Sequence, residues 1–239
     1  MRKSVAAVIA ASALSGCQVH AKEDGGPSVS RNYQVSNFQQ VEAAGPFDVV
    51  IRTGGNFSVA AQGPEKLLER TTVEVKDGKL VIHPEREGGF FHFGHSYRGK
   101  ATFTVTLPQL TGATLAGAGD MNVDKVASPE FKGAVAGAGD LTIGALEVQQ
   151  LKVSLAGAGN FRGAGKAQSA DYSLAGAGDV DAAGIQTEQI KVSIAGAGGV
   201  KAHASGTADV SIVGAGDVEI SGGAKCNVHK VGAGDVRCS

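Results

Sequence analysis

The sequence predicts an all-β fold: a single-stranded, right-handed β-solenoid with coils of about 18–20 residues, opened by an irregular β-rich N-terminal cap. Three observations predict it. First, the segment Leu115–Asp120 reads LAGAGD and returns six more times, with the first Gly of each copy at Gly117, Gly137, Gly157, Gly176, Gly196, Gly214 and Gly232. The intervals are 20, 20, 19, 20, 18 and 18 residues, the period of a stacked repeat. Second, the columns around that Gly alternate. Two residues before it stand Leu115, Val135, Leu155, Leu174, Ile194 and Ile212, with Lys230 breaking the column, and four before it the residues are mostly Val. The column between holds small polar residues such as Ser154, Ser173, Ser193 and Ser211, so one face is apolar, as in a half-buried strand. Third, no part of the repeat has helical periodicity, while Gly numbers 36 of 239 residues and Trp is absent, so the core must be built from small and β-branched side chains.

Taken in chain order, residues 1–16 read as a secretory signal. Arg2 and Lys3 precede the apolar run Val5–Leu14, which is too short to span a bilayer. The end of that run, Leu14-Ser15-Gly16-Cys17, resembles the lipobox of bacterial lipoproteins, which implies that Cys17 becomes the first mature residue and carries lipid. Gln18, rather than Asp, follows it and tilts the expected destination to the outer membrane of the cell envelope. Residues 17–30, polar and rich in Gly, Pro and Ser, read as a flexible tether.

Residues 31–110 read as the irregular first part of the solenoid. PFDVVIRTGG, FSVAAQG, TTVEVKDGKLVIHP and KATFTVTLPQL have strand character, Asp77-Gly78 marks a hairpin turn, and PEKLLER allows one or two helical turns. Residues 111–239 form the GAGD solenoid, each coil expected to contain two strands around the corner and a looser return. At the corner, Gly permits positive φ and close backbone approach, the Ala between the glycines is small enough to stack inside, and the Asp bonds nearby N–H groups. Seven coils at ~4.8 Å span about 34 Å.

The order PFDVVIRTGG…VAAQGPEKLLERTTVEVKDGKLVIHP…ATFTVTLPQLTGATLAGAGDMNV, from about Phe38 to the C-terminus, resembles the head GIN domain family of autotransporter-adhesin-like proteins. The resemblance implies a secreted or lipid-anchored bacterial envelope protein with a GAG-punctuated β-solenoid. It brings no catalytic residues.

The formal net charge is −1, and falls to about −3 when Arg2 and Lys3 leave with the signal, so no nucleic-acid partner is implied. GAGD is not a dinucleotide fingerprint, which needs GxGxxG between a strand and a helix. It also lacks the nonapeptide period of calcium-binding β-rolls. The carboxylate row Asp120, Asp140, Asp179, Asp217 and Asp235 is broken at Asn160 and Gly199, which removes ligands from any cation row. No metal or cofactor is expected. The segment Arg86–Lys100 carries Phe90, Phe91, His92, Phe93, His95 and Tyr97. It reads as a connecting loop or as an aromatic contact surface for an envelope protein or glycan; two His alone do not close a metal site.

The outward column after each corner reads Asn122, Thr142, Arg162, Asp181, Lys201, Glu219 and Arg237, which predicts a ladder of cross-strand charge pairs. Cys226 and Cys238 fall in mostly apolar columns on either side of the last corner, where an oxidising envelope permits a bridge; two buried thiols are the alternative. The functional expectation is a non-enzymatic envelope lipoprotein, a surface scaffold or adhesion-like binding module, with a membrane partner through its lipid. The alternative is a glycan-binding or polysaccharide-active β-helix protein.

Overall fold

The computed structural model describes residues 26–85 and 99–239; the signal and Cys17 lie outside them, as do Phe90, Phe91, His92, Phe93, His95 and Tyr97. The elements run β1 (Ser28–Tyr33), β2 (Gln40–Gly45), β3 (Phe47–Thr53), β4 (Ser58–Pro64), α1 (Glu65–Glu69), β5 (Thr71–Lys76), β6 (Lys79–Pro84), β7 (Ala101–Leu107) and β8 (Gly112–Gly117). Then come the long strands β9 (Met121–Gly137), β10 (Asp140–Gly157), β11 (Asn160–Gly176), β12 (Val180–Gly196) and β13 (Val200–Gly214), and the short β14 (Val218–Ser221), β15 (Lys225–Gly232) and β16 (Val236–Cys238).

From β8 onward every strand pairs in parallel with the coil before it, with GAG stacked on GAG: Gly117 on Gly137, Gly137 on Gly157, Gly157 on Gly176. This is the β-solenoid the repeat predicts. The coil differs from expectation in one respect: its return is strand as well. In β10 the buried residues fall in three runs, Leu141 and Ile143, then Leu146 and Val148, then Leu151, Val153 and Leu155. Two outward pairs, Gly144-Ala145 and Gln149-Gln150, separate the runs and reset the alternation. Each coil thus buries side chains from three sides, and the paired exposed residues are its second and third bends.

The cap interrupts the stack in sequence but not in space. β2 and β3 already form a GAG-like coil around Gly45, and β8 and β9 stack directly on them despite the long excursion between. That excursion builds the outer end. β6 pairs with β2 and β7 with β3, both in parallel, adding one more coil outside the first. Antiparallel strands then cover its open edges: β5 on β6, and β4 followed by β1 on β7. Asp77 and Gly78, with φ of 50° and 72°, make the expected β5–β6 turn, and α1 is a single turn burying Leu67 and Leu68. β1 starts at Ser28, so Ser28–Ser30, which the sequence assigns to the tether, pair with β4 instead.

The interior adjusts its volume from coil to coil. β11 has Gly163 and Gly165 where β10 has Ile143 and Leu146. The space at Gly163 is taken by its neighbours: a Cβ there would stand 2.9 Å from Cδ1 of Ile185 and 3.1 Å from Cζ of Phe161. The same coil buries Tyr172 completely; its hydroxyl has no hydrogen-bond partner among the described residues, and burial pushes its pKa up.

Among the described residues no strand covers the C-terminal end. Val228 sits in a core column yet is 41% exposed. Two local devices close this end. Lys230, standing where other coils have Leu, Val or Ile, turns its Nζ back to donate to the Gly234 carbonyl. Cys226 and Cys238 form a disulfide, their Cα atoms 6.6 Å apart. The ~10 Å between packed sheets does not apply here, because both cysteines flank one tight corner.

Two outcomes follow from this architecture. Gly176 has φ of 133°, and a Cβ on it would stand 2.1 Å from the Gly157 carbonyl oxygen. Gly176→Val, and Gly178→Ala with its Cβ 1.9 Å from Gly159 O, should each lower the melting temperature. A cost on the order of 3 kcal/mol corresponds to roughly 6–12 °C for a chain of this size. Reduction of the Cys226–Cys238 bridge should remove about 3 kcal/mol by the chain-entropy relation. Mass spectrometry of unreduced, alkylated protein should find both cysteines unmodified.

Candidate functional site

The GAG corners are built by backbone. From the second GAG corner onward the N–H of the middle Ala donates to the carbonyl of the first Gly of the coil before, as from Ala177 to Gly157 at 2.8 Å and from Ala197 to Gly176 at 2.9 Å. That Ala is exposed; the second Gly is the residue that faces in and is buried, as at Gly119, Gly139 and Gly178. The expectation that Ala stacks inside is therefore corrected: a Cβ at the second position would collide with the carbonyl beneath it, so only Gly fits there.

The acid that follows each corner bonds the next coil. Oδ1 of Asp48 accepts from the backbone N–H of Asp120 at 3.1 Å, and Oδ1 of Asp120 from that of Asp140 at 3.3 Å. Asp140 accepts both the backbone and the side-chain N–H of Asn160, at 3.2 and 2.8 Å. Asn160 Oδ1 accepts from Asp179 N–H at 3.0 Å, Asp179 from Gly199 at 2.8 Å and Asp217 from Asp235 at 2.9 Å. Each bond offsets part of the repulsion of about 0.8 kcal/mol between neighbouring carboxylates ~5 Å apart in water. Among the described residues no group of three or more His, Cys, Asp or Glu could hold a metal ion.

This acid row forms one side of a groove of about 540 Å³ on the outer face of the strands that follow the corners. The other side is the column Arg162, Asp181, Lys201, Glu219 and Arg237. Register places each of these directly opposite the next. The ladder of closed charge pairs expected from the sequence is not formed, however. Among the described residues no ion pair within 4.0 Å links its members. Closed pairs occur elsewhere, as between Lys152 and Glu130 at 2.9 Å, where Lys152 and Lys132 hold the Glu130 carboxyl below its usual range. The groove charges point into solvent and remain available to a ligand.

Sequence reasoning missed the corner at Gly45. Val41 and Ala43 occupy the apolar columns before it and Asp48 the acid position after it, so a Gly-x-x-Asp signal was present. Phe47 replaces the second Gly, and the next copy lies 72 residues on, which hides the period.

A capped β-solenoid with glycine-stacked corners defines a structural class of repeat protein whose stacked coils present extended surface columns. The chain belongs to the family described as "Putative auto-transporter adhesin, head GIN domain", whose profile matches residues 37–224. Among solved structures it is similar to "a putative adhesin" from Bacteroides fragilis, at 22% identity and a TM-score of 0.78 over 89% of this chain and 97% of that one. It is also similar to a "Putative lipid binding protein" from Parabacteroides distasonis, at 18% identity, TM-score 0.71, and 90% and 98% coverage. A "putative adhesin" from the same organism matches at 18% identity, TM-score 0.67, and 90% and 98% coverage. No curated protein matches the chain.

The acid row makes a prediction of its own. If its carboxylates serve as acceptors between coils, Asp179→Asn should melt close to the wild type, since Asn160 already fills one place in the row. Asp179→Ala should lose about 1 kcal/mol, or roughly 2–4 °C. Calcium chelation should leave the melting curve unmoved; a large downward shift would assign the row to metal instead.

Proposed function

We propose that this protein is a non-enzymatic lipoprotein of the bacterial cell envelope that acts as an adhesion-like binding module, with the groove beside the corners as its contact face. The observation that carries this reading is the row of groove charges left open by register-matched neighbours that do not close into ion pairs. Long charged side chains held on a rigid sheet, at fixed spacing, are placed to meet a partner's charges with little loss of order on binding. Membership in an adhesin-like family supports the surface location. Lipidation at Cys17 would tether the module, leaving residues 18–27 as a short linker to the cap, and would set it on the outer membrane. Among the described residues no helix is long and apolar enough to cross a membrane. The charged walls of the groove favour a polar ligand over an acyl chain, the kind of ligand suggested by the description of the Parabacteroides distasonis protein.

Two measurements test this reading. Labelled palmitate should enter the wild type and not Cys17→Ser, and the Ser variant should leave the membrane fraction; a Ser variant that stays through high-salt washing overturns the anchor. The mature domain should bind a cell-envelope extract, and Lys201→Glu should weaken that binding about tenfold without changing the melting temperature. Equal binding by the two proteins overturns the groove as contact face.

A further inference from the structure

The two sides of the groove alternate together. Arg162 shares its rung with the uncharged Asn160, and Lys201 shares its rung with Gly199. The rungs between and after them carry two acids each, Asp179 with Asp181 and Asp217 with Glu219. The two interruptions of the acid row therefore fall on the rungs of net positive charge, and the last rung, Asp235 with Arg237, is neutral. Four consecutive coils present net charges of +1, −2, +1 and −2, at the ~4.8 Å spacing of paired strands.

We infer that this groove binds a linear β-linked glycan whose successive sugar rings carry a carboxylate and an ammonium group in alternation, one ring to each coil. The inference rests on the groove being the contact face. The spacing selects the ligand class. An extended peptide laid along the solenoid axis turns a side chain to the groove every ~6.8 Å, out of step with the coils. A polyproline II peptide does so every ~9 Å, meeting only alternate rungs. An extended β-linked pyranose ring advances by about one coil spacing, so each ring meets one rung throughout. A uniformly anionic polymer would face the two doubly acidic rungs, and a uniformly cationic one would face Arg162 and Lys201. Alternating charge satisfies all four. The sign pattern also sets the register, because a shift by one ring places like charges opposite one another.

The probe is an N-deacetylated hyaluronan oligosaccharide, in which glucuronate alternates with glucosamine. Fully N-acetylated hyaluronan supplies carboxylates alone and chitosan oligosaccharide supplies ammonium groups alone. Titration calorimetry on the mature protein should show the alternating polymer binding about tenfold more tightly than either control. Lys201→Glu makes three adjacent rungs acidic; it should weaken the alternating polymer and strengthen chitosan, a reversal that loss of stability cannot produce. Chitosan or N-acetylated hyaluronan binding the wild type as well as the alternating polymer does, or a preference unchanged in Lys201→Glu, overturns the inference. Envelope binding that is lost in Lys201→Glu but is not competed by the alternating polymer overturns the glycan and leaves the contact face standing. If protease treatment of the envelope abolishes that same binding, the partner is a protein.

Discussion

Everything in this molecule depends on how closely one corner's backbone can approach the next. The first Gly of each GAG lies directly on the first Gly of the coil before, and a Cβ there would fall 1.9–2.4 Å from the carbonyl oxygen beneath. The second Gly is as tightly placed and faces inward. Two residues per coil are thus held to Gly by steric exclusion, and the alternation of the flanking strands is locked to that point. The corner fixes register, and register decides which side chains form columns. A slip of one residue would send every core side chain of a coil to the solvent.

A register fixed this firmly allows the rest of the coil to vary. Coil lengths range from 18 to 20 residues between corners, and the irregularities fall at the far bends, between Ile143 and Leu146 or between Ala182 and Gln186. Core volume is traded in the same way. A coil with Gly163 and Gly165 is filled by the reach of Phe161 and Ile185, which is why apolar columns with an occasional Gly still build a continuous interior. The ends obey a different rule. The N-terminal edge has antiparallel strands over both of its exposed sides, whereas the C-terminal edge, uncovered among the described residues, is closed by a disulfide and by Lys230 bonded back to the Gly234 carbonyl. A charge in a core column is unfavourable in mid-stack, yet at an open edge it discourages another strand from adding on.

The repeat was legible in the sequence because the constraint that produces it acts on residue type at fixed spacing. Gly117 to Gly232 and the alternating columns follow from that, as does the placing of Cys226 and Cys238 on either side of the last corner, though not the choice between a bridge and two thiols. The first coil was not legible. Phe47 stands where the second Gly should be, and because β4 to β7 are inserted before the next corner, the spatial neighbour of Gly45 is Gly117. No periodicity in the chain reports that adjacency. The third side of each coil was hidden for a related reason: its two buried positions, such as Leu146 and Val148, lie between paired exposed residues that break the alternation and resemble loop. The inward role given to Ala118 and its equivalents failed because small size is compatible with both sides of a corner, and only the stacked carbonyls decide which side needs Gly.

The groove shows the same logic applied to charge. In a sheet, opposite charges on neighbouring rungs ordinarily lower the energy by pairing, and Lys152 with Glu130 does so. Lys152, opposite Lys132, reaches Glu130 diagonally, whereas Arg162, Asp181, Lys201 and Glu219 stand directly opposite one another and remain apart, while the acids beside two of them bond backbone N–H groups between coils. Those bonds could be made as well by Asp at every rung, as they are from Asp48 through Asp140. The row departs from Asp first at Asn160 and again at Gly199, two of the three rungs that carry a cation across the groove; the third, Arg237, faces Asp235. Asn160 keeps its acceptor and continues the hydrogen-bond row; Gly199 gives it up. At Gly199 the corner loses a hydrogen bond to the next coil, and a Cβ there would stand 3.0 Å from Oδ1 of Asp179, the atom that accepts the Gly199 N–H. Both departures from Asp fall opposite a cation, so from Asn160 to Glu219 the net charge of the groove alternates in sign from rung to rung instead of accumulating acid on every one.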